Sequence, residues 1–282
     1  MCTPSSDPSP AHDPAADAAA DAANPGTSGR NEARAIPAFG AALRPLGWHQ
    51  PLRWLARGWR DFTRCPGIGL FYGVCFVAMG GGLRVSFEHA PAAVLALSAG
   101  FLLLGPFLCL GLYQASRLLE RGQTPDLGDS LMAWDQRTGT LAIFGCVLLV
   151  LEMVWARAAL VVFAISFDGM PDFKGSLLAL LDPANLPFIV AYLGLGTLFA
   201  GLIFAISVVS IPMILDRPID AIGASLTSLR LVLSQPGVML FWGALITLIV
   251  VLAMLPWFAG LLLAGPVLGH ASWHAYRDAV AD

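Results

Sequence analysis

Few side chains in this 282-residue chain are placed to do chemistry, and each invites a definite reading. Glu152 lies in an apolar run beginning near Thr138, about 20 Å along a helix that rises ~1.5 Å per residue. An ionisable group at that depth in a membrane is costly and marks a functional candidate. It is either a protonatable carboxyl suited to coupled transport or a buried carboxyl that bonds a neighbouring helix and holds register. Arg157 is its nearest charged neighbour in sequence, but i,i+5 is poor helical spacing, and the long side chain could snorkel to the outer interface. His270 and His274 stand at i,i+4 on one helix face, a spacing able to grip a metal. No carboxylate or cysteine adjoins them in the sequence, and haem ligation would need a ligand from another helix. The other reading is an interfacial cluster with Trp273 and Tyr276. Arg53, Arg57, Arg60 and Arg64 recur at helical spacing, roughly opposite Leu52, Leu55, Trp59 and Phe62. That pairing of stripes describes a helix lying in the membrane interface. The arginines either anchor the chain or form a specific site for anionic phospholipid, each worth about 1 kcal/mol near an anionic leaflet. No Gly-rich phosphate loop, Ser/His/Asp arrangement, zinc spacing or HExxH is evident, so no cofactor and no catalytic residue is expected. A nucleic-acid role for the basic stripe is disfavoured, because an apolar run opens within three residues of it.

The elements that position these groups follow from composition. Hydrophobic residues make up 57% of the chain and charged residues 12%, against about 25% charged in ordinary globular proteins. Several apolar runs exceed the ~18 residues that mark a membrane span. The uncharged run Leu231 to Gly269 is 39 residues long, about twice what one crossing needs. It must hold two spans, with Met254-Leu255-Pro256-Trp257 as the hairpin. Residues 1–35 are rich in Ala, Pro and Asp, too polar to form a core, and read as a disordered cytoplasmic tail or a docking segment. They contain no apolar core of a signal peptide. Five cysteines, three of them inside expected spans, give no disulfide framework.

A repeated unit organises the rest. Pro66-Gly67-Ile68-Gly69-Leu70-Phe71-Tyr72-Gly73 is matched by Pro236-Gly237-Val238-Met239-Leu240-Phe241-Trp242-Gly243, and more weakly by Thr138-Gly139 through Phe144-Gly145. Each copy follows an amphipathic segment and opens a span. The second spans echo one another too, in Gly105-Pro106 to Arg117, Gly265-Pro266 to Arg277, and Ile211-Pro212 to Asp216-Arg217. Pro106, Pro212 and Pro266 are expected helix breaks. The expected architecture is all-α: a polytopic membrane protein of six transmembrane helices over residues 45–280. It is built as three repeats of interfacial helix plus two spans, the units covering about 51–117, 125–217 and 218–280. With the N-terminus inside, 13 of the 16 basic residues fall on the inner side, which places both termini in the cytoplasm.

Taken together, Trp54 through Gly73, Gly105-Pro106 with Tyr113 and Arg117, Phe204 through Pro212, Asp216-Arg217 and Gly269 through Arg277 resemble a known set. They are similar to the bacterial inner-membrane family catalogued as domain of unknown function 2189, over roughly residues 45–280. The resemblance implies a six-helix integral membrane protein. Some members carry a label likening them to cytochrome c oxidase subunit I, but the paired-helix haem and copper histidines of such a subunit are absent here. The expected role is a non-enzymatic membrane-organising component that interacts with membrane lipids, anionic phospholipid among them, with other membrane proteins, or with a second copy of itself. The alternative is a small-solute or lipid transporter with a midplane site near Glu152 and the proline-broken helices.

Overall fold

The computed structural model of the chain describes residues 41–89, 91–166 and 186–281. The expected tail and nearly all of the long loop between residues 168 and 187 lie outside them. The described chain is helical: α1 (Gln50–Arg64), α2 (Pro66–His89), α3 (Pro91–Glu120), the short α4 (Leu127–Leu131), α5 (Thr138–Ser166), α6 (Leu186–Ser207), α7 (Ser210–Asp216), α8 (Ala221–Ser234), α9 (Pro236–Met254) and α10 (Leu261–Ala279). Four stretches among the described residues are long and apolar enough to cross a membrane: Pro66–Ser86, Thr138–Ser166, Leu186–Asp216 and Pro236–Met254.

Single-residue hinges separate amphipathic helices from spans. α1 stops at Arg64, Cys65 takes φ −131° and ψ 61°, and Pro66 opens α2. α8 stops at Ser234, Gln235 takes φ −135° and ψ 55°, and Pro236 opens α9. Proline suits this position because its missing N–H belongs to a turn with no intrahelical partner. The Thr138 copy is built differently: a 3₁₀ turn, Asp135–Arg137, runs into α5 with helical dihedrals at Thr138.

At 100° per residue, about 3.6 to the turn, α1 divides into three faces. Trp54, Gly58 and Asp61 are buried, the four arginines hold a second face, and Leu52 and Trp59 lie on a third, 54% and 50% exposed. α8 buries Ala221, Ala224, Thr227, Ser228 and Leu231 and leaves Ile222 69% exposed. Small and polar residues share the inward faces with Trp54, Phe62 and Leu231, while Leu52, Trp59 and Ile222 face out, an outward apolar exposure that suits lipid rather than water.

The hairpin expected at residues 254–257 forms, with α9 ending at Met254 and α10 starting at Leu261. Trp257 and Phe258 take positive φ, and the Arg84 guanidinium lies 3.6 Å from the Trp257 ring centroid. Two of the three expected proline breaks differ from expectation. α3 runs through Pro106 and α10 through Pro266 without interruption, whereas at Pro212 the chain does restart, α6 ending at Ser207 and α7 beginning at Ser210. Pro266 leaves the Leu262 carbonyl without its helical N–H. That carbonyl lies directly against Gly73, where a β-carbon would collide with it, so the closing glycine of the first signature accommodates the freed group.

Residues 41–46 form a strap from α8 to the end of α10. The Ala41 N–H donates to Thr227 Oγ1, Arg44 N–H to the Ala279 carbonyl, and Ala281 N–H to the Ala42 carbonyl. Gln235 holds both sides of the strap, accepting from Leu46 N–H and donating from Nε2 to the Arg44 carbonyl.

Candidate functional site

Charge and buried polarity concentrate where α1 meets α10 and the end of α3. The approach is close because Gly58 has no side chain: a β-carbon there would sit 2.6 Å from the Val267 carbonyl oxygen and 2.8 Å from the Ala271 nitrogen. One turn on, Asp61 Oδ2 accepts from the Ser116 hydroxyl at 2.8 Å and lies 2.8 Å from His274 Nε2. Ser116 Oγ lies 2.8 Å from His270 Nδ1, and His274 Nδ1 lies 3.5 Å from Glu120 Oε1. A continuous polar chain therefore runs Glu120, His274, Asp61, Ser116, His270. Its inner members are sealed, with Ser116 and His270 at 0% exposure and His274 at 5%. His270 Nε2 ends it without a hydrogen-bond partner among the described residues.

A second cluster continues from the first. Arg277 Nε lies 3.3 Å from Glu120 Oε2, and its Nη1 lies 3.6 Å from Asp216 Oδ2. Asp216 also stands at ion-pair distance from Arg117 Nε, 3.2 Å, and accepts from the Tyr276 hydroxyl at 2.9 Å, while Arg217 Nε donates to that hydroxyl at 2.8 Å. Arg117, Arg217 and Arg277, which close the three echoed stretches of sequence, thus meet around one carboxylate and one phenol. A third contact pins the start of α1. Asp278 accepts from Trp54 Nε1 at 2.9 Å and pairs with both terminal nitrogens of Arg57. The Trp54 ring stands edge-on to Trp242 of α9, centroids 5.4 Å apart.

Burial pushes the Asp61 carboxyl up, but the hydrogen bond and charge of His274, aided by Ser116, hold it net below its ordinary value. Glu120 is likewise pushed up by burial and drawn net lower by His274, Trp273 and Arg277. Asp278 follows the same pattern through Arg57 and Trp54. All three are held as carboxylates by named donors. Of these, Asp61–His274 is the buried pair, and removing one of its partners leaves an uncompensated polar group, which costs several kcal/mol.

The residues singled out from the sequence divide. His270 and His274 are buried within the protein, and Asp61, 213 positions from His274, supplies a carboxylate partner. No group of three or more His, Cys, Asp and Glu among the described residues is arranged to hold a metal ion. A Ser/His/Asp grouping exists after all, in the chain order Asp61, Ser116, His270. Its geometry is not that of a nucleophile and base, because the aspartate bonds the serine directly and the hydroxyl is enclosed. Glu152 is buried at 7% exposure on α5, with no hydrogen-bond or ion-pair partner among the described residues, and Arg157 is exposed and unpaired with it. Arg53, Arg57 and Arg60 line a cavity with Arg44 and Asp278; Arg64 lies outside it. None of Glu152, Pro106, Pro212 and Pro266 lines that cavity.

Asp61, Ser116, Glu120 and Asp278 were assigned no role from the sequence, and Asp216 entered there only as part of an echoed motif. One local signal was there: on the helical wheel, Asp61 is an acid on the Trp54/Gly58 face rather than on the arginine face.

No curated protein and no solved structure matches this chain. The family match begins within α3 and ends with α7, so it includes Ser116, Arg117, Glu120, Glu152 and Asp216 but neither α1 nor α10. Residues 94–216 match the model of the family described as predicted integral membrane protein (DUF2189), a match that covers somewhat under half of the chain.

Proposed function

We propose that the chain is a non-enzymatic component that organises a bacterial inner membrane, holding amphipathic helices at the lipid surface. The observation that carries this reading is the third face of α1: Leu52 and Trp59 stay exposed beside an arginine stripe while Trp54, Gly58 and Asp61 fasten the helix to α10. A helix so presented gains from apolar burial in the headgroup region and from attraction to anionic lipid. α3 and α10, 30 and 19 residues long, are read as the two crossings beyond the four apolar ones, giving six in three units. The matched hinges at Cys65 and Gln235, and the matched burial patterns of α1 and α8, support the repeat. The arginine distribution supports cytoplasmic termini. The enclosure of Ser116 supports a structural rather than a hydrolytic use of the polar chain.

Two measurements test this. Purification in native lipid followed by lipid mass spectrometry should show anionic phospholipid enriched over bulk membrane; a bulk-like profile contradicts the reading. Cysteines at Arg53 and Arg157 should label from opposite sides of the membrane, and labelling from one side contradicts the topology. Glu152, buried and without a partner among the described residues, favours the second reading, transport of a small solute or lipid. Glu152→Gln should then abolish flux at unchanged protein abundance, whereas parallel loss of the protein assigns the residue to structure.

A further inference from the structure

We propose that the cavity between α1 and the strap at residues 41–46 is a binding site for a phosphate group, carried by an anionic phospholipid or a soluble phosphate ester. Only the lipid source of that phosphate rests on the interfacial reading of α1.

The cavity has a volume of about 610 Å³, within the ~300–1,000 Å³ of small-molecule sites. Arg53, Arg57 and Arg60 enter it from one helix face, spread over about 10 Å at ~1.5 Å per residue. Arg44 and Pro45 form the facing wall. That wall is fixed at both of its backbone polar groups, since Arg44 donates to the Ala279 carbonyl and accepts from Gln235 Nε2. The backbone that carries Arg44 is therefore fixed across the cavity from the α1 arginines.

Charge identifies the ligand class. Among the described residues lining the cavity, Arg53, Arg57 and Arg60 of α1 stand with one carboxylate, Asp278, and that carboxylate is engaged by Arg57 and Trp54. Arg53 and Arg60 have no ion pair among the described residues. An anion able to accept from several planar forks at once fits better than a single carboxylate, and phosphate has the oxygens for it. Leu52 and Trp59 lie exposed on the adjoining face. A lipid headgroup in the cavity would leave its acyl chains on that apolar side. Asp278 has a second consequence: its negative charge stands in the site and occupies Arg57, so it opposes the ligand it neighbours.

The test uses the full chain in neutral detergent, titrated calorimetrically with dihexanoyl phosphatidic acid, glycerol 3-phosphate and inorganic phosphate. Arg53→Gln with Arg60→Gln should weaken binding by about tenfold or more, given ~1 kcal/mol or more per arginine–anion contact. Arg64→Gln, on the stripe but outside the cavity, should change nothing, and Asp278→Asn should strengthen binding. Arg53→Lys with Arg60→Lys retains charge without the fork and should show an intermediate loss, which also guards against misfolding of the glutamine variant. Binding of phosphatidic acid alone assigns the site to a lipid headgroup; equal binding of glycerol 3-phosphate assigns it to a soluble ester. The proposal is overturned if no probe binds the parent chain at millimolar concentration. It is equally overturned if the paired glutamine variant binds like the parent, or if Arg64→Gln weakens binding as much. Depth labelling of Leu52 and Trp59 addresses the interfacial reading independently.

Discussion

α1 and α8 are built to one plan and differ in what they bury. A shift that brings Pro66 onto Pro236 pairs Pro51 with Ala221, Trp54 with Ala224, Gly58 with Ser228 and Asp61 with Leu231, and all eight are buried. It also pairs Leu52 with Ile222, both exposed. α8 satisfies its buried hydroxyls at short range, Ser228 donating to the Ala205 carbonyl at 2.8 Å and Thr227 to Gly223 at 2.7 Å. α1 spends its buried positions on Trp54 and Asp61, whose partners come from α3 and α10. Of the arginine stripe, α8 keeps only Arg230, the counterpart of Arg60. Close packing inward and apolar exposure outward are thus common to both helices. Within this pair of helices, the buried carboxylate and the full basic face belong to α1 alone.

The sharpest way to break this comparison is to give α1 the residue of α8. Asp61→Leu should destabilise the protein by about 3–5 kcal/mol, because His274 and Ser116 lose their common partner inside the protein. Adding Ser116→Ala and His274→Leu should recover much of that loss, since an apolar replacement of a whole buried polar set is often near neutral. Denaturation in detergent reads both, and a single variant costing under ~1 kcal/mol would make the two helices equivalent. Next in size, Gly58→Leu should cost roughly 1–3 kcal/mol by forcing α1 off the α10 backbone, while Ser228→Ala loses one hydrogen bond at about 1 kcal/mol. Acid should separate the two helices as well. Depressed carboxyls contribute stability that is whole above the ordinary range of ~3.9–4.3 and lost as pH falls through their lower folded values. The melting temperature should drop below about pH 4 as these carboxyls protonate, and the Asp61→Leu protein should show a shallower drop. Smallest of all, Trp59→Ser and Ile222→Ser should change stability by no more than ~0.5 kcal/mol, yet both should reduce membrane-surface contact.

What could be read from the sequence was local. The hinge at Pro66-Gly67 declares itself because proline and glycine act on their own backbone, and the hairpin near Pro256 follows from the length of an uncharged run. The faces of α1 follow from helical periodicity, which placed the arginines correctly. The polar chain was illegible for the opposite reason: His274 meets Asp61 across 213 positions, and His270 meets Ser116 across 154. Nothing in the spacing of two histidines names a carboxylate so far away. Pro266 misled because its effect on α10 depends on Gly73, a neighbour in space that takes up the freed Leu262 carbonyl.

The account turns on α1 lying in the lipid surface with its Leu52/Trp59 face down. The most direct measurement is power-saturation spin-label accessibility at Leu52→Cys and Trp59→Cys in the reconstituted full chain, with Arg53→Cys as the reference. The account predicts oxygen-rich, shallow membrane immersion at positions 52 and 59 and access to a water-soluble relaxant at 53. Equal access to the water-soluble relaxant at all three positions would contradict it.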